Sequence, residues 1–198
     1  YDSVVEGVQK FRQSNAKLIV AIGGGSAMDV AKCIKLFCNM NDDQLFLEQP
    51  IIPNNVHLIA MPTTAGTGSE STKFAVIYYN GVKQSVTDES IIPSKIIFDS
   101  SALKTLPYSV RCSSMLDALS HAIESYWSIN STDKSKSIAK DAIQMILEDK
   151  DQYLNNTDIG NEQMLKAANL AGQAINITQT TAGHAMCYKL TSLYSLQH

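Results

Sequence analysis

The chain of 198 residues predicts an α/β layer followed by an all-helical half. Three features lead there. Two apolar runs, residues 17–22 (KLIVAI) and 56–61 (VHLIAM), read as buried strands and flank a stretch of helical periodicity. Asn80-Gly81 sits between two β-rich runs, the strongest short hairpin signal. Beyond Leu106-Pro107 the strand signals stop and apolar residues recur at helical spacing.

Each element follows in order. Val4, Val5, Val8 and Phe11 mark one face of a first helix. The strand over 17–22 runs into Gly23-Gly24-Gly25-Ser26, a turn in which Ser26 is the expected N-cap of a helix carrying Val30, Ile34 and Phe37. Residues 41–55 are polar and contain proline, hence loop. The strand over 56–61 ends in a segment, 62–71, rich in Gly, Ser and Thr. The hairpin pairs 72–79 with 82–87, and 95–99 (KIIFD) is a further strand, so a mixed sheet is expected. Helices are expected over 113–128, 136–147, 161–177 and 182–194, with the polar stretch 129–135 separating the first two. The domain division falls between an α/β part, residues 1–104, and a helical part, 105–198.

Composition narrows the function classes. Hydrophobic residues make up 44% of the chain, enough for a packed core, and the net charge of −3 argues against a nucleic-acid partner. No apolar run approaches the roughly 18–20 residues of a membrane span. Cys33, Cys38, Cys112 and Cys187 form no CxxC pair and read as reduced thiols of a cytoplasmic protein. In that setting the N-x-S/T sequons at Asn130, Asn155 and Asn176 carry no meaning.

Two segments are candidates for holding an anion. Gly24, Gly25 and Ser26 follow a strand and open a helix, where free backbone N–H groups and the helix dipole face a negative ligand. The G-x-G-x-x-G fingerprint fails because Met28 occupies the third glycine position, and no Gly-Lys-Ser/Thr is present for a Walker loop. A plain strand-to-helix turn is the competing reading. The second candidate, Thr63-Thr64-Ala65-Gly66-Thr67-Gly68-Ser69-Glu70, again follows a strand and offers hydroxyls and bare backbone; alternatively it is a solvated loop. Two such loops after successive strands favour a nucleotide, because ligands of open α/β sheets gather at the carboxyl ends of strands. Lys83, just past the hairpin turn, either reaches a phosphate or ribose or is a solvated charge.

Asp117 and His121, four apart on a predicted helix, point the same way. His184 and His198 follow in the helical half, and the remaining histidine is His57. Read singly, these are an exposed acid and structural histidines. Read together, Asp117, His121, His184 and His198 give one divalent metal four N/O ligands. One continuous helix would hold residues 184 and 198 roughly 21 Å apart, so the chain must turn between them, and 194–197 is the expected turn. A set of three imidazoles and one carboxylate suits Fe²⁺ or Zn²⁺ better than Mg²⁺ or Ca²⁺. Its net charge of about +1 would polarise a carbonyl oxygen, and a nicotinamide would exchange the hydride.

Four segments in register then resemble one family. They are Gly23-Gly24-Gly25-Ser26-Ala27-Met28-Asp29-Val30-Ala31-Lys32, Pro62 through Glu70, Asp117-Ala118-Leu119-Ser120-His121-Ala122-Ile123-Glu124, and Gly183-His184 through His198. Together they are similar to the iron-containing (group III) alcohol dehydrogenases. The resemblance implies a dehydroquinate synthase-like architecture, with an α/β dinucleotide-binding domain ahead of an all-α metal-binding domain. It implies Asp117, His121, His184 and His198 as ligands of Fe²⁺, or sometimes Zn²⁺. It also implies that Gly24, Gly25 and Ser26 hold the pyrophosphate of NAD or NADP, that Asp29 braces the following helix, and that Thr63, Thr64, Thr67, Ser69 and Lys83 surround the rest of the cofactor. The expected activity is reduction of a small aldehyde, or oxidation of a primary alcohol, by a homodimer or larger homo-oligomer. A polyol dehydrogenase of the same superfamily and a non-catalytic nucleotide- or metal-binding fragment are the alternatives.

Where many family members carry another histidine four residues after the third ligand, this chain has Tyr188, expected to line the pocket while a water or hydroxyl chain supplies the proton. Set against the family's length, truncation at both ends is expected, with the first part of the α/β domain and the later part of the helical domain missing. Residues 176–186, with Met115-Leu116-Asp117, are most similar to a branch acting on phosphonoacetaldehyde. Such an anion needs a basic group, and Lys189, Arg111 and Lys73 are the candidates.

Overall fold

The computed structural model describes residues 1–194, apart from the side chains of Tyr188, Lys189 and Ser192. It divides into two compact units, one of residues 1–62 and 73–97, the other of 63–72 and 98–198.

In the first unit, helix α1 (Asp2–Ser14) buries Val4 and Val8, one turn apart, and ends on Asn15 in the left-handed region. Strand β1 (Leu18–Gly23) pairs in parallel with β2 (His57–Pro62), in a register running from Leu18↔His57 to Gly23↔Pro62. Between them lies α2 (Gly25–Phe37), the right place for a parallel crossover. Strand β5 (Lys95–Ile96) joins the far side of β2. The hairpin strands β3 (Phe74–Tyr79) and β4 (Val82–Thr87) turn on Asn80 and Gly81, both at positive φ, as a two-residue turn requires.

Three expectations change here. The helix begins two residues early: Gly24, in an extended conformation, is the N-cap, and Met28 N–H donates to Gly24 O at 3.1 Å, so Ser26 lies inside the first turn. The hairpin does not extend the parallel sheet into a mixed one; it forms its own two-stranded sheet. Strand β2 pairs with β1 and β5, while β3 pairs with β4. Strand β1 is also buried on one face only. Ala21, Leu58 and Ala60 pack under Met28 and Ala31 of α2, whereas Leu18, Val20 and Ile22 alternate onto the exposed face. The remaining core of this unit joins Val4 and Val8 to Cys33, Leu36 and Phe37 of α2, with Ala75 and Ile77 of β3.

The second unit is built from α3 (Tyr108–Trp127), α4 (Asp133–Leu154), α5 (Asp158–Thr178) and α6 (Ala182–Tyr194). Pro107 precedes α3, where a missing N–H costs nothing. Thr132 and Ser135 form a reciprocal capping box at the start of α4, and Thr157 caps α5 through Gly160 N–H. Helix α5 is the most deeply set. Met164, Leu165, Ala167, Ala168 and Ala171 meet Ala118 and Ala122 of α3 and Ala142 and Ile146 of α4. Small residues on facing positions let the helices approach closely. No helix among the described residues is long and apolar enough to cross a membrane.

Arg111 staples this unit from inside. Its guanidinium is almost fully buried and donates to the carbonyls of Tyr153 (3.0 Å) and Leu103 and to Oδ1 of Asn161 (2.7 Å) and Asn156, while lying over the Tyr153 ring. Removing it would strand several buried acceptors and leave a void. Arg111→Ala is therefore expected to cost about 3–4 kcal/mol of unfolding free energy in urea titrations. Arg111→Lys is expected to recover little of it, since an ammonium cannot reproduce the planar fork.

Burial, with the nearby Asp29 carboxylate, pushes the Cys33 thiol up to about 12. Native protein treated with iodoacetamide at pH 8 is expected to leave Cys33 unlabelled, and urea-unfolded protein to label it, read by peptide mass mapping.

Candidate metal centre

Helix α3 carries its polar chemistry on one stripe. Asp117, His121 and Glu124 fall at positions i, i+4 and i+7, beside the core positions Ala118 and Ala122. His184 is the third residue of α6. The fold brings its ring over that of His121, with centroids 4.5 Å apart and planes inclined by 16°. One carboxylate oxygen, Asp117 Oδ1, lies 3.5 Å from His184 Nε2 and 3.7 Å from His121 Nε2. Donor atoms of all three residues lie within 4.8 Å of one another, and both histidines are buried.

The arrangement passes a test for a transition-metal ion. Two donors each about 2.1 Å from a tetrahedral ion lie about 3.4 Å apart, close to the spacing of Asp117 Oδ1 from the two ring nitrogens. The other ring nitrogen of His184, Nδ1, is 2.9 Å from Glu124 Oε1, so a proton carried on Nδ1 would turn the Nε2 lone pair toward Asp117. The electrostatics favour a cation. Burial works against charging His184, yet Asp117 and Glu124 outweigh it and lift its pKa above the ordinary histidine value. Burial likewise works to raise Glu124, but hydrogen bonds from His184 and Thr181 outweigh it and hold that carboxyl below its ordinary value.

Of the expected ligands, Asp117, His121 and His184 are thus brought together. Of the expected turn over 194–197, Tyr194 lies in α6, and residues 195–197 with His198 lie outside the described residues. His57 is exposed at the start of β2. Glu124 was not among the expected site residues, although its place seven residues after Asp117 on the same stripe was a readable signal.

The anion-binding candidates occupy both units. Gly24, Gly25 and Ser26 form the junction of β1 and α2, where the first amides of α2 have no partner within the helix. Asp29 accepts a 3.0 Å hydrogen bond from Val76 N–H, which ties α2 to β3. Lys83 is half-buried on β4, opposite Tyr78. The loop 63–72 belongs with the helices, not with the sheet whose strand precedes it. Its Glu70 accepts from Asn169 Nδ2 at 3.1 Å, and Ser71 Oγ donates to Asn169 O at 3.1 Å. Gly68, at φ +60°, lies against Gly172, and a Cβ at Gly68 would fall 2.6 Å from Gly172 Cα. So anchored, the loop leaves Thr63, Thr64 and Thr67 half-exposed and Ser69 buried.

A methyl at residue 172 would press on Ser71 Oγ and Gly68 Cα, at 2.7 and 2.8 Å. Gly172→Ala is expected to lower stability by about 1–3 kcal/mol in chemical denaturation, despite alanine's better helix propensity.

With this geometry in place, comparison with known proteins is decisive for the family. The profile for iron-containing alcohol dehydrogenases matches residues 1–100, and the profile for the C-terminal part of the Fe-containing alcohol dehydrogenase family matches residues 111–198. The NAD-dependent methanol dehydrogenase of Bacillus methanolicus is 37% identical over 98% of this chain and 53% of its own length. The phosphonoacetaldehyde reductase of Streptomyces viridochromogenes is 32% identical over 100% of this chain and 53% of its own. The crystal structure of sulfoacetaldehyde reductase from Bifidobacterium kashiwanohense in complex with NAD⁺ superimposes with a TM-score of 0.91 at 30% identity, covering 98% of this chain and 53% of that one. The chain spans about half the length of each of these relatives. It belongs to the iron-containing alcohol dehydrogenase family.

Proposed function

We propose that the protein is an NAD(P)-dependent, divalent-metal-dependent alcohol dehydrogenase or aldehyde reductase. The observation that carries the reading is the convergence of Asp117, His121 and His184 on one small volume. Asp117, His121 and His184 would hold Fe²⁺, or Zn²⁺, with His198 as the fourth ligand. When bound, the ion supplies Lewis-acid polarisation of a carbonyl oxygen and the nicotinamide supplies the hydride to its carbon, or accepts it in the alcohol-oxidising direction.

The residues of the chain do the rest. The stacking of His121 on His184 and the buried setting of both keep the two rings at fixed inclination and limit water around them. The amides of Gly25 and Ser26 at the start of α2 would bind the pyrophosphate, and the Val76–Asp29 hydrogen bond holds that helix in place. Thr63, Thr64 and Thr67 present hydroxyls to the remainder of the cofactor, on a loop fixed by Glu70 and Ser71. Lys83 and Ser69 complete the proposed cofactor contacts.

The substrate class supported is a small aldehyde or primary alcohol. For an anionic aldehyde such as phosphonoacetaldehyde, Arg111 is not the recognising group, because its donors are taken by Tyr153, Asn161, Leu103 and Asn156. Lys73 pairs with Glu89 at 2.8 Å in the first unit.

The test is reconstitution with Fe²⁺ or Zn²⁺ followed by NADH- or NADPH-linked reduction of small aldehydes, with metal analysis of the same sample. His184→Ala and Asp117→Ala are expected to lose metal and to lower the rate about 100-fold or more. His184→Ala with full metal content and undiminished activity would overturn the ligand assignment.

A further inference from the structure

We infer that Glu124 is a positioning residue that fixes the tautomer and direction of the His184 ring, and that position 183 is glycine so that its carboxylate can reach there. The inference rests on the metal reading of Asp117, His121 and His184.

Both oxygens of Glu124 are fully engaged, and the residue is buried at 3% exposure. Oε1 accepts from His184 N–H at 3.1 Å and lies 2.9 Å from His184 Nδ1. Oε2 accepts from Thr181 Oγ1 at 2.9 Å and from Thr181 N–H. The side chain thus reaches from α3 to the start of α6, where free amides and the positive end of the helix dipole favour a carboxylate. A carboxylate used only as a cap would need the amides alone. Here the oxygen that takes the His184 amide also takes the ring nitrogen of the same residue, so one atom sets both the backbone and the imidazole.

The chemistry follows from the inventory of a neutral imidazole, in which one nitrogen carries the proton and the other the lone pair. An ionised carboxylate at Nδ1 requires the proton there. Nε2 is then left to donate its lone pair, and it is the nitrogen that faces Asp117. A carboxylate behind a ligand histidine orients the ring and raises its basicity toward the ion.

Gly183 supplies an independent observation. A Cβ built there would collide with Glu124 Oε1, the atom shared by the His184 ring and amide. The colliding atom is the far end of a flexible side chain, so the fold can accommodate alanine by letting the carboxylate move. Alanine is also the better helix former. Gly183→Ala should therefore leave α6 folded while pushing the carboxylate off the ring.

Co²⁺ titration of the purified protein against a competing chelator, with the visible absorption of bound Co²⁺ as a second readout, tests this. Glu124→Gln and Gly183→Ala are expected to bind Co²⁺ about 10–100-fold more weakly than wild type, with a shifted Co²⁺ spectrum. Gly183→Ala keeps the test sound should Glu124→Gln not fold. His184→Ala is run beside them. If it binds Co²⁺ weakly while both other variants match wild type in affinity and spectrum, Glu124 is a helix cap only and the inference falls, with the metal reading intact. If His184→Ala itself binds like wild type, the metal reading falls and takes the inference with it.

Discussion

Four donors converge on the buried carboxylate of Glu124, and the proposed metal centre depends on that clasp. Asp117 and His121 come from one helix and need only the geometry of a helical turn to stand together. His184 comes from another, sixty residues beyond Glu124, and must be brought to them by tertiary structure. The clasp does this at the first turn of α6, where a shift of one residue would aim a different side chain at α3. A buried anion is costly unless every lone pair is met. Here the backbone and side chain of Thr181 meet one oxygen and those of His184 the other, so the cost of burial is offset by the same contacts that position the ligand.

The rest of the helical unit gives α3 a fixed platform. Alanines at 118 and 122 seat it against α5, and Arg111 near its start ties it to the carbonyls that end α4 and the preceding turn. These two contacts differ in kind. The alanine seam is non-directional and sets how closely the helices approach. The guanidinium is directional and sets where along its axis α3 comes to rest, and with it the height at which Asp117 and His121 stand.

Much of this was legible in the sequence wherever a local rule governs. The Asn80-Gly81 hairpin follows from two residues that tolerate positive φ, and helices α3 to α6 follow from apolar spacing, with α6 starting at its expected residue, Ala182. Asp117 and His121 were legible because they are four apart on one helix. Features decided by distant partners were not. Ser26 is a good N-cap by type, yet the N-cap is Gly24, where the backbone leaves the strand. Arg111 reads as a basic group available to an anionic substrate, and only the convergence of Tyr153, Leu103, Asn156 and Asn161 turns it into a buried staple. The continuous apolar run of β1 reads as a strand buried on both faces, while among the described residues α2 covers one face of it. Loop 63–72 reads as part of the sheet domain because it follows β2. Its place with the helices is set by Gly68, Glu70 and Ser71 meeting residues of α5 about one hundred positions later.

That last contact has a consequence for how the sequence can change. Gly68 and Gly172 touch through their backbones, so a side chain added at either position claims the same small space. The two positions are therefore epistatic. The first added methyl forces the loop and α5 apart, and a second, entering a gap already opened, costs less than it would alone, so the paired effect departs from the sum of the single ones. Drift at one glycine is thus constrained by the state of the other, although neither carries a functional group.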